Sequence, residues 1–109
     1  IDICCVQETK WKGAKAKQIS NDYKLFYNGT SSTRNGVGII LHQSLIDRII
    51  DINRTNDRII SIKIALENQP SLNIISVYAP QINCPDIEKQ EFWEELHELQ
   101  ASLPANEYK

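Results

Sequence analysis

A mostly antiparallel β-sheet covered by one helix, an α/β chain of the α+β type, is the architecture this residue pattern predicts. Three observations lead there. Apolar runs of strand length recur between short polar links, which favour antiparallel pairing over crossovers. Ile59 to Leu66 alternates cleanly, with Ile60, Ile62, Ile64 and Leu66 on one face and Ser61 and Lys63 on the other. The period then changes: Phe92, Leu96, Leu99 and Leu103 lie at the spacing of one helical stripe.

Taken in order, Asp2-Ile3-Cys4-Cys5-Val6 reads as a buried strand. A polar, lysine-rich stretch to Ser20 follows and reads as a loop or short helix. Tyr23 to Tyr27 is the next strand. Asn28 to Asn35 clusters Gly, Ser, Thr and Asn, which is loop chemistry. Val37 to Leu41 is a short apolar strand, and Leu45 to Asn53 is β-branched and partly alternating. Thr55-Asn56-Asp57 reads as a turn before the Ile59 strand, and Asn68-Gln69-Pro70-Ser71 as the hairpin connection into Leu72 to Tyr78. Pro80 stops that strand because it cannot donate to a ladder. Asp86 and Glu88 fall in the first turn of the helix, where its dipole favours them, and Pro104 marks its end.

The 109 residues allow one domain at most. The chain contains no Met and opens inside an apolar run, so the expectation is a piece of a longer domain. A half-domain of this kind leaves sheet edges unpaired. The net charge of -2 carries no global nucleic-acid signal. Locally, Lys10, Lys12, Lys15 and Lys17 form a run without an acidic residue, either a solvated loop or a phosphate-facing patch, whereas Asp86 to Glu98 is mostly acidic. Three cysteines are an odd number without metal-ligand spacing, which points to a reducing compartment. Cys4 and Cys5 face opposite ways in a strand and read as buried small hydrophobes. No apolar run is long enough to span a membrane and no signal peptide is visible, so the expectation is an intracellular protein, nuclear or cytoplasmic, with no membrane partner.

Two residues stand where α/β proteins place their chemistry, at strand C-termini: Glu8 in Gln7-Glu8-Thr9 and Tyr78 in Val77-Tyr78-Ala79-Pro80. By spacing alone Glu8 is either a solvated strand-end carboxylate or a metal ligand. Tyr78 is either a core aromatic with its hydroxyl on a backbone partner or a hydrogen-bond donor at a reacting group. His42 ends an apolar strand and His97 lies among helix acids, and neither reads as catalytic.

The pair Gln-Glu-Thr and Tyr-Ala-Pro, with a β-rich stretch between, resembles the endonuclease/exonuclease/phosphatase family, the metal-dependent phosphodiesterase fold of deoxyribonuclease I, apurinic endonucleases and LINE-type retrotransposon endonucleases. Asp2 to Gly13, Leu25-Phe26-Tyr27-Asn28-Gly29 and Arg34-Asn35-Gly36-Val37-Gly38-Ile39-Ile40 look like the craniofacial-development-protein-2-like branch, itself similar to retrotransposon endonucleases. The match runs along nearly all of this chain but covers only about the N-terminal half of the family's domain.

The resemblance implies half of a four-layer α/β sandwich of the deoxyribonuclease I-like fold. Residues 1–109 would be a partial domain lacking the extreme N-terminal strand and the C-terminal half. It implies that Glu8 ligates Mg, with Mn as a substitute, and that Tyr78 stands near the scissile phosphate. It places the Asn28 to Asn35 loop on the nucleic-acid side, so that Lys10, Lys12, Asn28, Arg34 and Asn35 face a nucleic acid, most readily DNA. Many nucleases of the family carry Asn after the Pro of Tyr-x-Pro; this chain has Gln81 at that substrate-facing position. The family's Asp-x-Asn pair, Ser-Asp-His end and upstream Asn do not occur here. The expectation is therefore a fragment of a Mg-dependent endonuclease-type phosphodiesterase that is inactive by itself. A phosphatase of the same fold, and a non-catalytic chromatin or protein-interaction module that keeps Glu8 and Tyr78 by inheritance, are the alternatives.

Overall fold

Alternation of apolar side chains decides how this chain stacks. The structure, a computed structural model, describes residues 3–7, 9, 13–29, 36–80, 84–105 and 107 and divides the strands into two antiparallel sheets. The first holds β1 (Ile3–Gln7), β2 (Gly13–Gln18), β3 (Tyr23–Gly29) and β4 (Val37–His42) in the order β1-β4-β3-β2. The one-turn helix α1 (Gln43–Ile46) carries the chain across to the second sheet. That sheet holds β5 (Ile49–Asn56), β6 (Ile59–Leu66) and β7 (Gln69–Val77) in sequence order, and α2 (Asp86–Ser102) follows. The α+β class, the antiparallel pairing and the covering helix are as the pattern predicts. The division into two sheets is not written in the pattern.

The core lies between the sheets. Val37, Ile39 and Leu41 of β4 share one face, as do Ile60, Ile62 and Ile64 of β6, and these six side chains have no exposed surface. With Phe26 and Ile74 they form a single apolar layer. Burying each such side chain stabilises the fold by roughly 1.5–3 kcal/mol. The opposite face of β6 is covered too: Ile59 packs with Phe92 and Leu99, against which Leu96, Ile75 and Val77 also rest. The predicted helical stripe is therefore the surface that seats α2 on the second sheet, giving a sheet–sheet–helix stack. Asp86 and Glu88 do occupy the first turn of α2, and Pro104 follows its cap residue Leu103. No helix among the described residues is long and apolar enough to cross a membrane.

Five local expectations are corrected. Residues 13–18 form strand β2 rather than a loop or short helix, paired with β3 through Lys15 opposite Tyr27 and Lys17 opposite Leu25. Ala and Lys have weak strand preference, and the edge of β3 overrides it by supplying backbone partners. The Leu45 to Asn53 stretch divides into α1 and β5, and β5 runs through Thr55 and Asn56, so the turn falls at Asp57-Arg58. The next hairpin turns at Glu67-Asn68, where Asn68 takes φ 56°, a left-handed conformation that Asn tolerates. Pro70 therefore lies inside β7, permitted because β7 is an edge strand with a register shift beside it. Finally, Cys4 and Cys5 are exposed rather than buried, because β1 is an edge strand paired only with β4.

Gly38 occupies a close crossing on the outer face of the first sheet. A Cβ built there would lie 2.7 Å from Leu25 Cδ1, 3.1 Å from the Phe26 carbonyl oxygen and 3.1 Å from Val6 Cγ2. The Phe26 carbonyl is backbone and cannot swing aside. Gly38→Ala is expected to destabilise the protein by about 1–3 kcal/mol through overpacking. The urea midpoint should fall with the slope unchanged.

Candidate functional site

At one end of the stack the β5–β6 turn and the end of β5 join the two sheets, and there Arg54 donates from Nε to the Tyr27 carbonyl at 3.1 Å and from Nη2 to the Lys15 carbonyl at 3.2 Å. The end is defined by the last residues of β1, β3 and β7 and the first of β4. The Gly36 N–H donates to the Asp57 carbonyl at 3.0 Å, and the Thr9 N–H donates to the Gly36 carbonyl at 3.4 Å. Asn28 Nδ2 donates to the Asn56 carbonyl at 2.7 Å. Lower in the stack, the Ser76 hydroxyl donates to the Val6 carbonyl at 3.4 Å, so β1 and β7 approach one another directly. The chain thereby delivers the ends of the two motif-bearing strands to the same place.

Tyr78 stands immediately past β7 and is half-buried. Its N–H donates to the Arg58 carbonyl at 2.8 Å. Arg58 answers with Nη1 donating to the Tyr78 carbonyl at 3.1 Å, and its guanidinium carbon lies 5.3 Å from the Tyr78 ring centroid. Arg58 is 8 % exposed, and its guanidinium does not go unpaired: Nη2 meets Glu88 Oε1 of α2 at 2.8 Å. A parallel link holds Asn28, since Asn56 accepts from it through its carbonyl and bonds Glu95 of α2 through its own side-chain amide. Glu88 and Glu95 lie two turns apart on α2. The acidic stretch is thus not only a solvated face, for two of its carboxylates buttress the turn behind the candidate site.

Of the residues singled out in the sequence, the structure brings Asn28 and Tyr78 to this end. Glu8, Lys10, Lys12, Arg34, Asn35 and Gln81 lie outside the described residues. Gln7 and Thr9, which flank Glu8 in sequence, are at the end in question, and the Thr9 hydroxyl is buried without a hydrogen-bond partner. Among the described residues no group of three or more His, Cys, Asp or Glu side chains is arranged to hold a metal ion. Lys15 and Lys17 are exposed on the edge strand β2. His42 accepts the Ser44 N–H at 3.2 Å and caps α1. Arg58, Asn56 and Ser76 carry much of the local architecture but left no signal in the sequence, since each sits in an ordinary turn or strand position.

Cys5 adds a titratable group at the β1–β7 junction. Partial burial of its sulfur pushes the thiol above its ordinary range; a Ser76 hydrogen bond lowers it in part, and Cys4 raises it again.

No family model matches the chain. The chain is 36% identical over 106 residues to craniofacial development protein 2 of Bos taurus, and 35% identical over 106 residues to that of Tragulus javanicus. This chain is homologous to craniofacial development protein 2. The matches cover 95% of this chain in each case, but only 17% and 18% of the relatives' lengths. The resemblance to craniofacial development protein 2 is thereby borne out.

Three outcomes are expected. Glu88→Ala leaves a nearly buried guanidinium without its carboxylate; because Glu88 is itself about one-third exposed, the loss should be about 1–3 kcal/mol, read from the urea midpoint. The raised Cys5 thiol ionises later in the folded than in the unfolded chain, so stability should be unaffected at neutral pH and fall as pH rises beyond about 8.5. Alkylation of Cys5 at pH 8 should accelerate when the chain is unfolded in urea.

Proposed function

We propose that this chain is part of a metal-dependent phosphodiesterase of the endonuclease/exonuclease/phosphatase family that hydrolyses nucleic-acid backbones, DNA in the first instance, inside the cell. The observation that supports the reading best is the convergence of the β1 and β7 ends. Strand β1, whose last residue Gln7 precedes Glu8 in sequence, and strand β7, whose last residue Val77 precedes Tyr78, abut through Val6 and Ser76. The two motifs are far apart in sequence, and a shared reaction centre gives a reason for joining them.

The chemistry follows from the residue types. Magnesium, with manganese as its substitute, neutralises phosphate charge and activates a bound water when it is present. Glu8 is the residue that holds it in this reading. Magnesium takes one or two protein carboxylates and completes its shell with water and phosphate oxygens, so a large donor set is not required. The orphaned Thr9 hydroxyl next to Glu8 in sequence supplies a further oxygen at that end. Tyr78 donates a hydrogen bond from its phenol to a phosphate oxygen whose charge grows in the transition state. In this reading Arg34 binds a backbone phosphate, Asn28 and Asn35 reach a groove, and Lys10, Lys12 and Gln81 face the nucleic acid beside them.

The intact protein should nick plasmid in Mg, and Glu8→Ala should abolish the nicking. Tyr78→Phe should lower kcat by roughly 10²–10³, the loss typical of one donor to a developing oxyanion. Residues 1–109 alone should not nick, because members of one catalytic unit fail together. Hydrolysis of phosphoinositides but not plasmid would replace the nuclease reading with the phosphatase. An intact protein inert on both would leave the interaction module.

A further inference from the structure

Strand β7 ends at Val77, so the sheet ladder does not fix the orientation of Tyr78. Arg58 does this in three ways. Its carbonyl accepts the Tyr78 N–H at 2.8 Å, its Nη1 donates to the Tyr78 carbonyl at 3.1 Å, and its guanidinium stands over the ring at 5.3 Å from the centroid. The first two contacts fix the backbone on both sides of the Tyr78 Cα. The third restricts the ring's own rotation through cation–π attraction. None of the three uses the phenol oxygen.

The guanidinium is held in turn. Arg58 is 8 % exposed, its N–H donates to Asn56 Oδ1 at 2.8 Å, and Glu88 Oε1 takes Nη2 at 2.8 Å. One planar group therefore faces a carboxylate on α2, a carbonyl past β7 and an aromatic ring at once. A lysine ammonium carries the same charge but is a point donor on a flexible stem, and it cannot reproduce the fork and the stack together.

We infer that Arg58 is a positioning residue for Tyr78, oriented by Glu88, so that helix α2 sets the aim of the phenol at the proposed phosphate site. The catalytic consequence rests on the phosphodiesterase reading; the positioning itself does not. In the family reading Glu8 and Tyr78 act directly, whereas Arg58 acts only through Tyr78.

The test uses the intact protein labelled with 3-fluorotyrosine and read by ¹⁹F NMR, with the Tyr78 resonance identified by its loss in Tyr78→Phe. Arg58→Lys should move that resonance and leave the other tyrosines in place. Glu88→Gln, which keeps an acceptor oxygen, should move it less, and it serves as the second variant should Arg58→Lys fail to fold. In plasmid nicking, Arg58→Lys should lower kcat on the order of ten- to a hundredfold, the cost of a misplaced group, with KM nearly unchanged. In a Tyr78→Phe background the same change should cost almost nothing further. An unmoved Tyr78 resonance in both folded variants overturns the positioning role, as does a kcat loss of equal size in both backgrounds. If the intact protein cuts nothing while the resonance moves, the positioning stands and the phosphodiesterase reading falls.

Discussion

The contact between β4 and β6 is the constraint on which the rest depends. Val37, Ile39 and Leu41 from one sheet and Ile60, Ile62 and Ile64 from the other are all fully buried in one layer. Side chains alternate along a strand, so a slip of one residue in either sheet would turn the whole apolar column toward solvent. The alignment of the two sheets is therefore determined by burial. Once it is set, the ends of β1, β3 and β7 and the start of β4 have no freedom to lie elsewhere. The polar contacts at that end, including Gly36 to Asp57 and Asn28 to Asn56, follow from this alignment and do not cause it.

Helix α2 has two jobs that use one face, since Glu88, Phe92, Glu95 and Leu99 follow at spacings of four, three and four residues. Phe92 and Leu99 bury against Ile59 and the neighbouring β7 residues, which attaches the helix. Glu88 and Glu95 reach the β5–β6 turn and satisfy Arg58 and Asn56. A guanidinium removed from water is costly unless it is paired and its donors are occupied. Arg58 meets that requirement with a carboxylate from α2 and a carbonyl from Tyr78, so the residue that makes the turn possible is also the one that grips the candidate catalytic tyrosine. Stability and function are coupled at this point, and substitutions in the helix are expected to be felt at the site.

Much of the fold was legible because it follows from periodicity. The alternation of Ile60, Ile62 and Ile64, the helical stripe of Phe92, Leu96 and Leu99, and the stops at Pro80 and Pro104 each express a local rule, and each is found in place. Strand β2 was not legible, because Gly13-Ala14-Lys15-Ala16-Lys17-Gln18 lacks strand preference and owes its conformation to the edge of β3. The exposure of Cys4 and Cys5 was hidden for a related reason: residue type suggests burial, but position at a sheet edge decides it. At the site, Tyr78 and Asn28 could be named from motifs, while Arg58, Asn56 and Ser76 could not, since their partners lie in other elements far along the chain.

The sequence by itself determined the α+β class, the covering helix and the two motif-bearing strand ends, because hydrophobic period and turn chemistry act between near neighbours. Only the tertiary structure decided that the strands form two sheets, that the ends of β1 and β7 abut, and that a buried arginine from the intervening hairpin holds Tyr78. Those facts depend on contacts between residues distant in sequence, where the energy of packing and charge pairing is set by neighbours that no local pattern contains.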